Sequence, residues 1–274
     1  MSELIIEAGR TERHYWRDLW RYRELFYFLA WRDILVRYKQ TTIGIAWSVI
    51  RPVLTTLVFT VVFGRMAGLR STSDVPYSLL VFAGMLPWQF FSNSLSESSN
   101  SLVANSNLIS KIYFPRLIIP ASAVIVGLVD FLISAGILSV MMMWFQFLPT
   151  WRICLLPAFI MAAFAAAMGA GLWLGALTVK YRDFRYIVPF IVQFGLLISP
   201  VGFSINQVPE KWRLLYSLNP MVGVIDGFRW SLLRGAEANL FLPGFAISML
   251  MILLLLVSGI WYFRKVEKGF ADVI

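Results

Sequence analysis

Residues Leu117–Leu148 read LIIPASAVIVGLVDFLISAGILSVMMMWFQFL, a run of 32 residues with a single ionisable side chain, Asp130. A helix rises 1.5 Å per residue, so about 20 apolar residues cross a hydrocarbon layer of about 30 Å. This stretch is long enough to do so and too apolar for a soluble surface. Five further segments of the 274-residue chain meet the same test: Ile43–Gly64, Val75–Leu95, Ile153–Val179, Tyr186–Phe203 and Phe241–Phe263. The fold expected is an all-α membrane protein with six transmembrane helices.

Composition points the same way. Hydrophobic residues make up 59% and charged residues 14%, against roughly 45–50% and 25% in soluble domains. A folded domain of this length cannot hide that excess in one core. The same numbers exclude disorder. A single cysteine, Cys154, excludes an internal disulfide framework, and a single histidine, His14, argues against a His/Cys metal cluster.

The formal charge is +9, which in a soluble protein would suggest nucleic acid. In a membrane chain its placement matters more, because Lys and Arg gather on the cytoplasmic side. With both termini in the cytoplasm, sixteen of the 24 basic residues fall inside, seven fall outside, and Arg51 lies within a span. Six acids in the amino segment weaken that bias. No short apolar segment before a small-residue cleavage site opens the chain, so the first span is expected to be retained. The expected division is a cytosolic amphipathic segment over 1–42, a six-span membrane domain over 43–266 and a cytosolic tail over 267–274.

Two extramembrane pieces carry helical patterns. Over His14–Thr41, Tyr15, Leu19, Tyr22, Phe26 and Leu29 recur at helical spacing, with Arg10, Arg13, Arg17, Arg21 and Glu24 on the other face. Such a helix suits the inner headgroup layer, or packs on a soluble partner. Between the last two spans, over 204–240, Pro209-Glu210 and Asn219-Pro220 mark helix starts, and Gly235 sits where a helix running from Pro220 to Arg234 would end. Val224, Ile225, Phe228 and Leu232 form its apolar face. Two helices too short to span suggest an outer-side hairpin dipping into the membrane; a surface loop is the alternative.

The spans hold few chemical groups. No G-x-x-x-x-G-K-[ST] phosphate loop occurs, so this chain is not expected to hydrolyse ATP alone. No H-E-x-x-H or carboxylate cluster appears in the spans, and a Ser-His-Asp site would have to use His14, far from any expected pocket. Charges inside spans are functional candidates by default. Asp130 suits a polar cavity, a proton carrier or a hydrogen bond to a neighbouring helix, and Arg51 suits snorkelling or a carboxylate partner. Pro52 and Pro87 are candidate kinks. The run from Ala162 to Ala176 is rich in small residues, with Gly171 and Gly175 four apart, which marks close helix contact in the bundle or between subunits. Trp88, Phe90, Phe91, Trp151, Trp212, Trp230 and Trp261 fit an aromatic belt, and some could instead stack on sugars along a path.

Several pieces resemble one family. They are Arg37-Tyr38-Lys39, Thr42-Ile43-Gly44 with Trp47, Arg51-Pro52, FAGMLPW at Phe82–Trp88, NSNLISKIYFP at Asn105–Pro115, KYRDFR at Lys180–Arg185 and LNPM at Leu218–Met221. In this order the chain is similar to the membrane subunits of type-2 ABC exporters, specifically permeases for lipid-linked O-antigen or capsular polysaccharide. The resemblance implies a homodimer in a bacterial inner membrane, with the pathway between the two copies. It also implies two copies of a cytosolic ATPase that bind the ATP and magnesium, with no cofactor in this chain. The implied cargo is an undecaprenyl-linked polysaccharide moved to the outer leaflet among membrane lipids, with no nucleic acid involved. Teichoic-acid or drug export, or a secondary carrier, are the alternatives.

By that resemblance Leu108, Lys111, Tyr113, Phe114 and Arg116 couple to the ATPase, and Lys180, Tyr181, Arg182 and Asp183 make a second contact. Trp47, Arg51, Phe82, Trp88 and Asp130 are pathway candidates. Trp212, Asn219, Pro220, Asp226 and Arg229 belong to the outer hairpin.

Overall fold

A computed structural model describes residues 11–39, 46–66, 68, 75–233 and 240–270. Arg10, Thr42-Ile43-Gly44, Arg70 and Arg234-Gly235 lie outside them. The described residues form helices joined by short connections, with no strand among them. Along the chain come α1 (Thr11–Arg21), α2 (Arg23–Lys39), α3 (Ala46–Phe59), α4 (Tyr77–Ala104), α5 (Ser106–Lys111) and α6 (Ile118–Trp144). Then follow α7 (Leu156–Lys180), α8 (Phe184–Ile198), α9 (Glu210–Tyr216), α10 (Pro220–Leu232) and α11 (Leu242–Val266).

Four helical stretches are long and apolar enough to cross a membrane: Ala46–Met66, Ile118–Trp144, Trp151–Lys180 and Leu242–Gly269. The first includes a wider π-helical segment, Thr60–Met66, that continues α3. The remaining two expected spans behave differently. Helix α8 is apolar but has 15 residues, about 22 Å of rise. Helix α4 runs 28 residues, nine past the expected end at Leu95, because Ser96, Ser98, Ser99 and Ser101 continue it while lowering its hydropathy.

Those serines explain why α4 sits at the centre. It packs against α6 and α7, and also against α3, α8 and α10. Ser94 faces Gly127 of α6, and Ser98 faces Gly171 of α7; both hydroxyls are buried. Each pairing sets a small side chain against a glycine, so the helix backbones approach closely. The small-residue run of α7 is thereby placed within the bundle. Gly171 and Gly175 face α4, and Gly169 faces α11, where an added Cβ would stand 2.7 Å from the Leu255 carbonyl carbon. Trp173 stacks on Tyr262 at 4.1 Å and donates to Ser258 Oγ at 3.1 Å across the same α7–α11 seam.

The amino segment is two helices, with a break at Tyr22, where one was expected. Its stripe of Tyr15, Leu19, Tyr22, Phe26 and Leu29 turns inward onto the core. Trp16, Trp20, Tyr27, Phe28 and Trp31 point outward and are exposed. The helices thus have two apolar faces, one for the protein and one left for other surroundings. At the opposite end of the chain Phe270 is 1% exposed and packs edge-on against Phe263. The tail beyond 266 is anchored to the bundle as far as that residue.

Helix α10 lies among the first turns of α4, α7 and α11, and eleven of its thirteen residues are buried. Its start is capped by Asn219, whose side chain accepts from the Met221 amide at 3.0 Å, with Pro220 at the first helical position. Gly223 and Gly227 admit Ser248 and the Phe159 ring. The expected face of Val224, Ile225, Phe228 and Leu232 is fully covered, and so is much of the opposite face.

Candidate functional site

The site grows around Asp130. On α6 it is a carboxylate in an otherwise apolar helix, and three groups from distant parts of the chain converge on it. Arg37 Nη2 stands 2.8 Å from Oδ2. The Tyr38 hydroxyl donates to Oδ1 at 2.5 Å, and the Ser48 hydroxyl donates to the same oxygen at 2.7 Å. Burial, together with the neighbouring carboxylate, pushes the Tyr38 phenol up to about 12, so it stays protonated as a donor. Arg37 also reaches toward Glu97 of α4 at 3.6 Å. The C-terminal end of α2, the start of α3 and the middle of α6 are thus tied at one point.

Beside that point is a cleft of about 320 Å³, walled by α3, α4 and α6. Trp47, Arg51 and Asp130 line it, which brings together three of the five residues expected on a pathway. The other two lie elsewhere: Phe82 is 1% exposed in the core, and Trp88 is 4% exposed with its ring against Gly195 of α8. Gln89 and Asn93 of α4 also line the cleft, and their sequence context did not single them out. The available signal was a pair of amides four residues apart, on one helix face, inside a stretch otherwise read as apolar.

A second cleft, of about 970 Å³, lies where α1, the α5–α6 connection and the end of α11 meet. Tyr15 donates to Glu267 at 3.0 Å, and the Arg264 guanidinium sits 4.5 Å over the Tyr15 ring. Burial, then the Glu267 charge, holds the Tyr15 phenol well above its ordinary value. Arg116 donates to the Glu267 carbonyl and lies over the Phe270 ring. Nearby, Arg32 Nη2 donates to Asn105 at 2.9 Å, which ties α2 to the α4–α5 corner.

The residues expected to meet an ATPase therefore divide. Lys111 and Tyr113 are exposed, Leu108 is half-buried, Phe114 is core, and Arg116 is engaged within the chain. Lys180, Tyr181, Arg182 and Asp183 are all exposed between α7 and α8, with Lys180 over the Tyr181 ring at 5.2 Å. Among the described residues no ion pair joins Arg182 to Asp183, and no group of His, Cys, Asp and Glu could hold a metal.

At the far end of the bundle, Arg229 of α10 is 2% exposed and donates to three carbonyls: Leu80 at 3.2 Å, Phe203 at 2.8 Å and Val201 at 2.7 Å. Asp226, one turn earlier, is also buried, while Trp212 of α9 is exposed. The residues expected in a hairpin thus serve different surroundings: Asn219 and Pro220 start a helix, Arg229 clamps it, and Trp212 faces outward.

The family model for ABC-2 type transporters matches residues 24–233. The chain belongs to the ABC-2 type transporter family. That span runs from the start of α2, through the Asp130 cleft, to the clamp at Arg229. Among curated proteins, an O-antigen export system permease protein RfbA of Myxococcus xanthus is 27% identical over 78% of this chain and 82% of its own length. A Klebsiella pneumoniae protein of the same name is 24% identical over 92% of this chain and 95% of its own. The capsule polysaccharide export inner-membrane protein CtrC of Neisseria meningitidis is 24% identical over 88% of this chain and 90% of its own. As a member of this family, the chain is a membrane subunit of a transporter. The Asp130 cleft is accordingly a polar feature of a bundle that spans lipid.

Proposed function

We propose that this chain is the membrane subunit of an exporter that moves lipid-linked polysaccharide, of O-antigen or capsule type, from the inner to the outer leaflet of a bacterial inner membrane. The observation that carries this is similarity along nearly whole lengths to permeases named for O-antigen and capsule export. Two copies form the conduit, and two copies of a separate ATPase bind beneath them and supply the ATP and Mg²⁺ chemistry.

The geometry supports the dimer, the orientation and the partner surface. Helix α3 belongs to the least covered span, with only 11% of its most apolar stretch buried, and α8 exposes Phe190, Phe194, Leu197 and Ile198. The loop after α8 abuts α3, where Gly202 lies against Phe59 and Phe63. These adjoining apolar faces are where a second copy and the lipid tail would pack. Lys111, Lys180, Arg182, Arg185 and Lys265 lie at the end that holds α5 and the end of α11; the opposite end shows Arg152, Lys211 and Arg213. That bias fits cytoplasmic termini. The α5 corner and the Lys180–Asp183 connection are the surfaces on which closure of the ATPase would push, and differential contact in its two states would do the work.

The test is loss and restoration of surface polysaccharide. Deleting the gene should remove the polymer from the cell surface, and affinity capture of the chain should bring down a phosphate-loop ATPase. Lys111→Glu should lower surface polymer about tenfold or more while leaving the amount of chain in the membrane unchanged, because the side chain is exposed and bonded to nothing that folding needs. Full export by this variant would remove Lys111 from the coupling role.

A further inference from the structure

Arg51 is the one ionisable side chain of α3, and it is exposed. Among the described residues its guanidinium has neither a hydrogen-bond partner nor an ion-pair partner. A guanidinium pointed into hydrocarbon is costly, and such groups face a polar cavity or a counter-charge. Arg51 faces the 320 Å³ cleft. The carboxylate in that cleft is not available to it, since Asp130 is held by Arg37 and by the Tyr38 and Ser48 hydroxyls. The cleft is left with one uncompensated positive charge.

Gln89 and Asn93 stand on the cleft wall one turn apart on α4. Their side-chain amides also bond no partner among the described residues. A guanidinium supplies two parallel N–H donors for an oxyanion, and amides add neutral donors and acceptors. Trp47 offers a flat ring at the rim. From the cleft, Leu54, Leu57 and Val58 of α3 continue as an exposed apolar face. Unmet donors at one end and an apolar track leading away match a phosphate carried on a long hydrocarbon tail.

We propose that Arg51, Gln89 and Asn93 bind the phosphate head of a polyprenyl lipid, with the tail lying along α3. This rests on the export function proposed above and names the part of the cargo that this cleft recognises. Arg51 supplies the charge, and the amides orient the phosphate and the sugar attached to it. The Arg37–Asp130 pair keeps the only carboxylate among the described lining residues neutralised, so the anion is not repelled.

The full chain embedded in phosphatidylcholine nanodiscs tests it, with retention of tritiated undecaprenyl phosphate as the readout. Wild type should bind saturably, and undecaprenol, which lacks the phosphate, should not compete. Arg51→Gln should bind about tenfold more weakly or worse, as expected for one lost charge-assisted contact. Gln89→Leu with Asn93→Leu should lose several-fold, and Lys211→Gln, exposed at the opposite end of the bundle, should bind as wild type. Equal affinity of wild type and Arg51→Gln overturns the site, as does equal competition by undecaprenol. Inorganic pyrophosphate added alone decides the source: occupancy confined to the lipid supports the headgroup, and equally tight occupancy by pyrophosphate overturns the lipid assignment. Arg51 is exposed, so unchanged melting of Arg51→Gln accompanies the supporting result. Failure of the export function is seen separately: binding that holds while gene deletion leaves surface polymer intact sinks the exporter proposal and spares the site.

Discussion

Two arginines of the membrane domain, Arg229 and Arg51, meet opposite surroundings. Arg229 is buried and gives its donors to the carbonyls of Leu80, Val201 and Phe203. The Val201 and Phe203 carbonyls belong to the loop after α8, outside any helix, and the Leu80 carbonyl belongs to the start of α4, so one fork joins two segments to α10. Arg51 is exposed, lies on the wall of a cleft and bonds nothing among the described residues. The same side chain closes a structure in one place and leaves a place open in the other. What decides between the two roles is how many of its donors the protein itself has used.

That contrast is open to direct attack. The largest effect should come from Arg229→Leu, which strands the buried loop carbonyls of Val201 and Phe203 and should cost on the order of 3–5 kcal/mol, seen as lost accumulation or a sharply lower melting temperature. Arg229→Lys should recover only part, because an ammonium lacks the planar fork. Wild-type melting of the leucine variant would break the comparison. Next is Asp130→Asn. It keeps an acceptor for Tyr38 and Ser48 but loses the ion pair with Arg37, so a loss of roughly 1–3 kcal/mol is expected by thermal melting. A proton-carrying role predicts the reverse pattern, unchanged melting with transport abolished. The smallest effect should be that of Arg51→Gln on stability, within about 0.5 kcal/mol, since no protein contact is removed. A large drop in melting temperature there would move Arg51 into the same class as Arg229.

Much of this was open to a reader of the residues alone. Four of the expected spans are helices long and apolar enough to cross, because hydropathy over twenty residues is a strong signal. The start of α10 was visible in Asn219-Pro220, and the close packing of α7 was visible in its glycines. Asp130 stood out because a lone carboxylate in an apolar run is rare. Its partners did not, because Arg37, Tyr38 and Ser48 lie more than 80 residues away along the chain and only the fold brings them near. Arg229 read as one more charge outside the membrane, since nothing local announces three carbonyls arriving from α4 and the loop after α8. Phe82 and Trp88 read as pathway candidates because hydropathy cannot separate a ring in the core from a ring beside a passage. The serines of α4 read as the end of a span, whereas set against glycines they are its interior.

The tie between Arg32 and Asn105 has a mechanical consequence. Arg32 and Arg37 lie on one unbroken helix, five residues or about 7.5 Å apart along its axis. One grips the corner where α4 meets α5; the other grips Asp130. A rigid rod fastened at both points transmits displacement instead of absorbing it. Any displacement imposed on that corner would therefore reach the cleft with no slack joint in between, and the lining would shift in step with it.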